Sequence, residues 1–319
     1  MSFLEGGLEE FSVNAPAKLN LHLSVLGKRP DGFHNLESIF VTVNFFDTLY
    51  FTPLKNPNLT IITMKWEKNI PSVSINTEDN IIFKALSLFR EKTGFSNGLE
   101  IKAEKRIPPG SGLGGGSSDA ASVLLALNRF AGFPLNRDEL LETASVLGSD
   151  VPFFIFETNA ALVKGRGESI IPVEIPGWFF VLVNPGFSSN TAAAFKLLEE
   201  HRALKKNDAD FSESAQTKDF FLNTDLSGLC SEEKLLSDIF FNDFLSVFND
   251  PEKSVYNKII CSLKELDAEF AGLSGSGSTC FGVFFEKKSA EKAAFCLRKK
   301  WKFVKICGIR KNDLLMASP

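Results

Sequence analysis

Five glycines fall among the seven residues Gly110–Gly116 of this 319-residue chain, within Pro108-Pro109-Gly110-Ser111-Gly112-Leu113-Gly114-Gly115-Gly116-Ser117-Ser118-Asp119. Backbone that curls around an anion needs positive φ and no Cβ in the way, and a helix that follows points free N–H groups at the bound charge. The residues on either side fit that use. Leu99, Ile101, Ala103 and Ile107 recur at strand-like spacing before the glycines, and Ala120–Leu127 reads as a helix after them, whereas a Gly/Ser linker would have polar, aperiodic flanks. The loop lacks the Lys-Ser/Thr ending of a Walker sequence. Gly110, Gly112 and Gly115 match the dinucleotide fingerprint in form. The context fails, because Asn136–Gly148 reads as a second helix where a parallel strand ending in an acid is required.

Three further segments hold groups able to do chemistry. In Ala15-Pro16-Ala17-Lys18-Leu19-Asn20, an ammonium and an amide share one face of a strand in which Leu19, Leu21, Leu23 and Val25 alternate with Lys18, Asn20, His22 and Ser24. A solvated sheet face would show the same pattern. Asp150 is the single acid of Leu147–Phe156 and stands just before an apolar run read as a strand; turn chemistry and a general base both fit it. Leu273-Ser274-Gly275-Ser276-Gly277-Ser278-Thr279-Cys280-Phe281-Gly282 is a second Gly/Ser loop running into a strand, where a plain hairpin is an equal reading.

The elements that must position these groups are legible at intervals. Asp31-Gly32 marks a turn between the Lys18 strand and Ile39–Phe45, predicting a β-hairpin. Asn80–Phe89 has helical spacing after a stretch of Pro, Asn, Lys and short apolar runs over 53–80. Ser117, Ser118 and Asp119 are suited to capping the next helix, and a Ser hydroxyl there is equally suited to magnesium; Gly132 suits that helix's end. Pro172–Gly177 marks a change of composition, predicting domains at 1–175 and 176–319, with Trp178–Val183 as a buried strand and Asn184–Thr191 turning into a helix. Residues 199–238 are charged and Ser-rich and read as a variable insertion with little chemistry.

Bulk properties exclude some classes. A net charge of −4 without a dense basic cluster argues against nucleic acid or a membrane surface as the main partner. Five cysteines without a Cys-x-x-Cys argue against a disulfide framework or zinc site and fit a reducing cytosol. The acidic start and the lack of a long apolar run predict a cytoplasmic protein. Oligomeric state stays open.

Taken together, the Lys18 segment, Pro108–Asp119, Leu147–Pro152 and Leu273–Gly282 resemble the GHMP kinase superfamily over nearly the whole chain except 199–238. With Arg29-Pro30-Asp31-Gly32-Phe33-His34, they look like its branch acting on 4-diphosphocytidyl-2-C-methyl-D-erythritol in non-mevalonate isoprenoid synthesis. The resemblance implies a two-domain α+β fold with the active site in the interdomain cleft, ATP and Mg2+ as co-substrate and cofactor, and a cytidine diphosphate-linked small molecule as acceptor. By family match Asp150 takes the hydroxyl proton and Lys18 supports it. Pro108, Pro109, Gly110, Ser111, Gly112, Leu113, Gly114, Gly115, Gly116, Ser117 and Ser118 cradle the ATP phosphates, with Lys105 and Asn80 near the adenosine and Ser117 or Ser118 at magnesium. Asn20 touches the acceptor, His34 reads the cytosine edge, Phe33 and Phe187 stack on the ring, and Ser274, Gly275, Ser276 and Gly277 close on the diphosphate. Relatives often carry Tyr at the Phe33 position, so stacking carries over and the hydroxyl's hydrogen bond does not. The resemblance leaves two alternatives: another small-molecule kinase of the superfamily, of homoserine or mevalonate type, or a non-catalytic nucleotide-binding regulator.

Overall fold

The computed structural model describes residues 9–205 and 236–310. Strands β1 (Phe11–Lys28) and β2 (His34–Leu54) form the expected antiparallel hairpin, turning through Gly32 at φ +83°. The other edge of β2 pairs with β5 (Ala160–Gly165) along its first half and with β4 (Gly98–Lys105) along its second. Strand β3 (Thr60–Trp66) adds parallel to β4 and β6 (Ser169–Pro172) adds to β5, completing a six-stranded sheet. Helices α1 (Ile81–Thr93), α2 (Gly115–Phe130), α3 (Arg137–Leu147) and the short α4 (Val151–Ile155) contribute to one apolar cluster with this sheet, through Phe51, Phe89, Leu124 and Phe153.

After Pro172 the chain enters a second, four-stranded sheet in the order β10 (Phe303–Gly308), β7 (Phe179–Asn184), β9 (Cys280–Phe284) and β8 (Phe270–Leu273). Helices α5 (Thr191–Lys205), α6 (Glu252–Lys264) and α7 (Lys287–Leu297) pack with it through Ala194, Leu198, Ile259, Leu263 and Ala294. The two sheets also share buried residues. Leu19, Leu21, Ile39 and Val41 of the first cluster with Phe180, Leu182, Phe281 and Val283 of the second. Apolar surface common to both sheets gives the groups at their junction a firm base.

Four expectations change here. The 53–80 stretch contains β3, which the sequence reading passed over: its alternate residues are exposed and half-buried, so it carries no buried apolar run. The apolar residues after Asp150 form α4 rather than a strand, because a short segment buried all round has no periodicity to tell the two apart. The polar face of β1 is not solvated: Lys18, Asn20, His22 and Ser24 are all buried. Helix α5 extends through the first residues of the 199–238 segment, of which 206–235 lie outside the described residues.

Candidate active site

Helix α2 begins at Gly115, with Gly114 at φ +70° as its N-cap and no side chain capping it. Ser117 and Ser118 therefore lie inside the first turn and Asp119 just beyond it instead of capping the helix, and the first N–H groups of the helix are left open for an anion. Every carbonyl from Pro109 to Leu113 is already taken. Pro109 accepts from Ser188 Oγ at 2.9 Å, Gly110 from Ser189 N at 2.8 Å, Ser111 from Thr279 N at 3.0 Å, Gly112 from Ser274 Oγ at 2.9 Å and Leu113 from Lys18 N at 2.9 Å. Positive φ at Gly110, Gly112 and Gly114 allows this path. With its carbonyl edge committed to the protein, the loop has mainly amides to offer an anion.

This loop lines a cavity of about 1030 Å³, together with Lys18, Asn20, Phe33, His34, Asn80, Lys105 and Asp150. Asp150, at the N-terminus of α4, is about one-third exposed, and its Oδ2 lies 3.3 Å from the buried Lys18 Nζ. Lys18 also donates to Asn20 Oδ1 at 2.6 Å and stands 4.6 Å from the Phe40 ring centroid. Asn20 is held in turn, its side-chain amide donating to Ser38 Oγ at 2.9 Å. A buried ammonium needs such partners, and here they aim it at the carboxylate the cavity exposes.

Lys105 is placed differently. Its ammonium donates to both Asp47 and Asp119, all three being almost fully buried. Asp47 also accepts from the backbone N–H groups of Arg106 and, at 2.8 Å, Ile107. The cluster thus ties the end of β4, where the chain enters the glycine loop, to the N-terminal part of α2, where it leaves. Burial opposes the Lys105 ammonium, but Asp119 and Asp47 outweigh it and raise its pKa. Burial pushes the Asp119 carboxyl up to about 7, Asp47 adds to the rise and Lys105 opposes it. Beside Gly116 lies an apolar slot of Met64, Trp66, Ile75, Ile81 and Ile82, with Asn80 capping α1 through Ile82 N at 3.0 Å.

At the opposite end, Phe33 is 48% exposed and His34 stacks on Phe195 with centroids 5.1 Å apart and planes 15° apart. His34 Nε2 lies 3.1 Å from Glu199 Oε1. Burial lowers the His34 pKa against the pull of Glu199, so the ring is mainly neutral near pH 7. Residues 80–158 match the GHMP kinases N terminal domain and residues 234–302 the GHMP kinases C terminal domain. A 4-diphosphocytidyl-2-C-methyl-D-erythritol kinase of Burkholderia orbicola (strain MC0-3) is 35% identical over 288 residues, 90% of each chain. The chain belongs to that family of GHMP kinases. A crystal structure of 4-(cytidine 5'-diphospho)-2C-methyl-D-erythritol kinase is similar at TM-score 0.70 and 28% identity, covering 93% of this chain and 98% of that one. A homoserine kinase from Cytophaga hutchinsonii shares the fold alone, at 17% identity and TM-score 0.61 over 97% of each chain. The architecture is that two-domain α+β kinase fold.

Among the expected site residues, five stand away from the cavity wall. Phe187 packs against Tyr256 in the second sheet's core; the aromatic ring beside His34 is Phe195. Leu113 and Ser118 are buried behind the loop, and Ser274 and Gly277 lie behind it as well, while Gly275 and Ser276 reach the wall. Ser274 serves the first loop: its hydroxyl donates to Gly112 O and accepts from Asn20 N at 3.2 Å. Sequence reasoning missed Asp47, Asp119, Arg166, Phe195 and Glu199, the last on the stretch expected to hold little chemistry. A Gly-Arg-Gly turn signal stood over Arg166, and Thr191 to Phe195 is one helical turn, but neither shows from spacing what it faces.

Proposed function

We propose that this protein transfers the γ-phosphoryl group of ATP to the 2-hydroxyl of 4-diphosphocytidyl-2-C-methyl-D-erythritol, a step of non-mevalonate isoprenoid precursor synthesis. The observation that carries the reading is the Lys18–Asp150 pair, set in one cavity between an amide-lined loop and an aromatic end. ATP phosphates lie on the loop from Pro108 to Ser117, and the slot of Met64, Trp66 and Ile75 takes the adenine. Asp150 accepts the proton as the acceptor oxygen attacks the γ-phosphorus and the bond to the β-phosphate oxygen breaks, releasing ADP. Lys18 orients Asp150 and balances charge on the phosphoryl oxygens; positioning and electrostatics supply most of the rate in such transfers.

Cytidine sits against Phe33, His34 and Phe195, stacking on an aromatic face and meeting a neutral imidazole. Asn20 and Gly275–Ser276 border the acceptor. Magnesium, when bound with ATP, neutralises phosphate charge. Ser117 on the cavity wall and Asp119, whose Oδ1 is buried without a hydrogen-bond partner, are the residues suited to hold it. We place the domain division at 175/176, between β6 and β7, and the protein in the cytoplasm. No helix among the described residues is long and apolar enough to cross a membrane.

Phosphorus NMR of the products tests the assignment. Incubated with ATP and Mg2+, the protein is expected to yield ADP and a phosphomonoester of the cytidylyl acceptor, and none from homoserine or mevalonate. Phosphorylation of either of those in preference to the cytidylyl acceptor overturns it.

A further inference from the structure

Among the described residues Arg166 is the single guanidinium on the cavity wall, and the transfer described above gives it no part. It stands in the β5–β6 turn between Gly165 and Gly167. Both have positive φ, and a Cβ on Gly167 would come within 2.1 Å of Ser149 O. The turn is therefore seated on the residue before Asp150. Its guanidinium carbon lies 3.6 Å from the Phe33 ring centroid, while Nη1 is 3.6 Å from Asp31 Oδ2. Arg166 thus stands between the two ends of the acceptor site, its turn packed through Gly167 against Ser149 and its guanidinium over the Phe33 ring.

A cytidine diphosphate-linked alcohol with its base at Phe33 and its reacting hydroxyl at Asp150 must lay its diphosphate between them. The other basic groups on the wall are less suited. Lys18 is committed to Asp150 and Asn20, Lys105 to two carboxylates, and Lys196 is an outward-lying side chain paired with Glu200 at 3.8 Å. Among the described residues, the side-chain N–H groups of Arg166 other than Nη1 make no hydrogen bond or ion pair, and a guanidinium fork suits phosphate oxygens. We propose that Arg166 binds the diphosphate of the acceptor, held ready over Phe33, and so selects diphosphate-linked cytidine over cytidine itself. This rests on the acceptor reading above, and it moves the diphosphate contact from the Ser274–Gly277 loop to the β5–β6 turn.

Competitive inhibition by CDP and by cytidine separates this role from support of the Phe33 ring. In the wild type CDP is expected to inhibit more strongly than cytidine. Arg166→Ala should weaken CDP by about 10- to 100-fold, as loss of a charge-assisted contact does, and cytidine by no more than about threefold. Arg166→Lys should recover part of the preference, and Phe33→Leu should weaken both inhibitors alike. Equal weakening of CDP and cytidine in Arg166→Ala, or an unchanged CDP constant, overturns the proposal. Calorimetric binding of CDP and cytidine gives the same comparison without turnover. A wild type that binds CDP in preference to cytidine but leaves the erythritol acceptor unphosphorylated would count against the acceptor reading and not against Arg166.

Discussion

The loop at Gly110–Gly116 and the loop at Ser274–Ser278 are built largely from the same two residue types, and the structure gives them opposite duties. The first turns its carbonyls to the protein and opens the start of α2 to the cavity. The second supplies Ser274 Oγ, and the residue after it Thr279 N, to those carbonyls, and of its own residues only Gly275 and Ser276 reach the cavity. The two settings differ at the glycines themselves: another backbone lies against Gly112, whereas Gly116 faces the open cavity. The two lysines divide the same way. Lys18 pairs with one carboxylate that is about one-third exposed to the cavity, while Lys105 is consumed between two buried ones that pin the ends of the first loop.

The largest expected effect separates the two kinds of glycine. A Cβ at Gly112 would lie 1.9 Å from Ser274 O on a residue at φ +77°, whereas at Gly116 the nearest atom is 3.8 Å away. Gly112→Ala should cost on the order of 3 kcal/mol or more and drive the loops apart. Gly116→Ala should keep or slightly raise the melting temperature, since Ala is the better helix former, and raise the KM for ATP. Thermal melts beside ATP kinetics check both; a stable Gly112→Ala enzyme would remove the packing argument.

A smaller effect tests the lysine comparison. Asp119 in the folded protein holds a proton up to about pH 7, whereas the ordinary carboxyl at 3.8 releases it. Between these values the folded state binds more protons than the unfolded one, so this group's contribution to stability declines as the pH rises from about 4 to about 7. Asp119→Asn removes the titration and should flatten that part of the profile in urea melts at successive pH values. An identical slope in the variant would contradict the buried-cluster account.

The smallest effect concerns the two phenylalanines. Phe195→Leu should raise the acceptor KM by about 3- to 10-fold through lost stacking. Phe187→Leu should lower the melting temperature by a few degrees and leave that KM within about twofold. Reversal of this pattern would return the base-stacking role to Phe187.

Much of this site could be read from the chain because its signals are local. Consecutive glycines between a strand and a helix, an Asp-Gly turn before Phe33 and His34, and an apolar run after Asp150 each declare themselves within a dozen residues. The Lys105–Asp47 contact spans 58 positions and leaves no such trace. Phe187 and Phe195 are both aromatic residues at the start of the second domain, and only the packing of α5 decides which one meets His34. The carbonyl pairing of the two glycine loops is likewise a property of the assembled fold, so the hydrogen bond of the buried Ser274 to Gly112 O could not be read from its own segment.

The central claim is that Asp150, set by Lys18, takes the acceptor proton. Asp150→Asn keeps the shape, leaves Lys18 bonded to Asn20, and alters a side chain that is about one-third exposed, so folding should survive. Steady-state turnover of ATP with 4-diphosphocytidyl-2-C-methyl-D-erythritol should show kcat lower by about 10²- to 10⁴-fold, with the KM for ATP and the melting temperature little changed. An Asp150→Asn enzyme turning over at the wild-type rate would contradict the account.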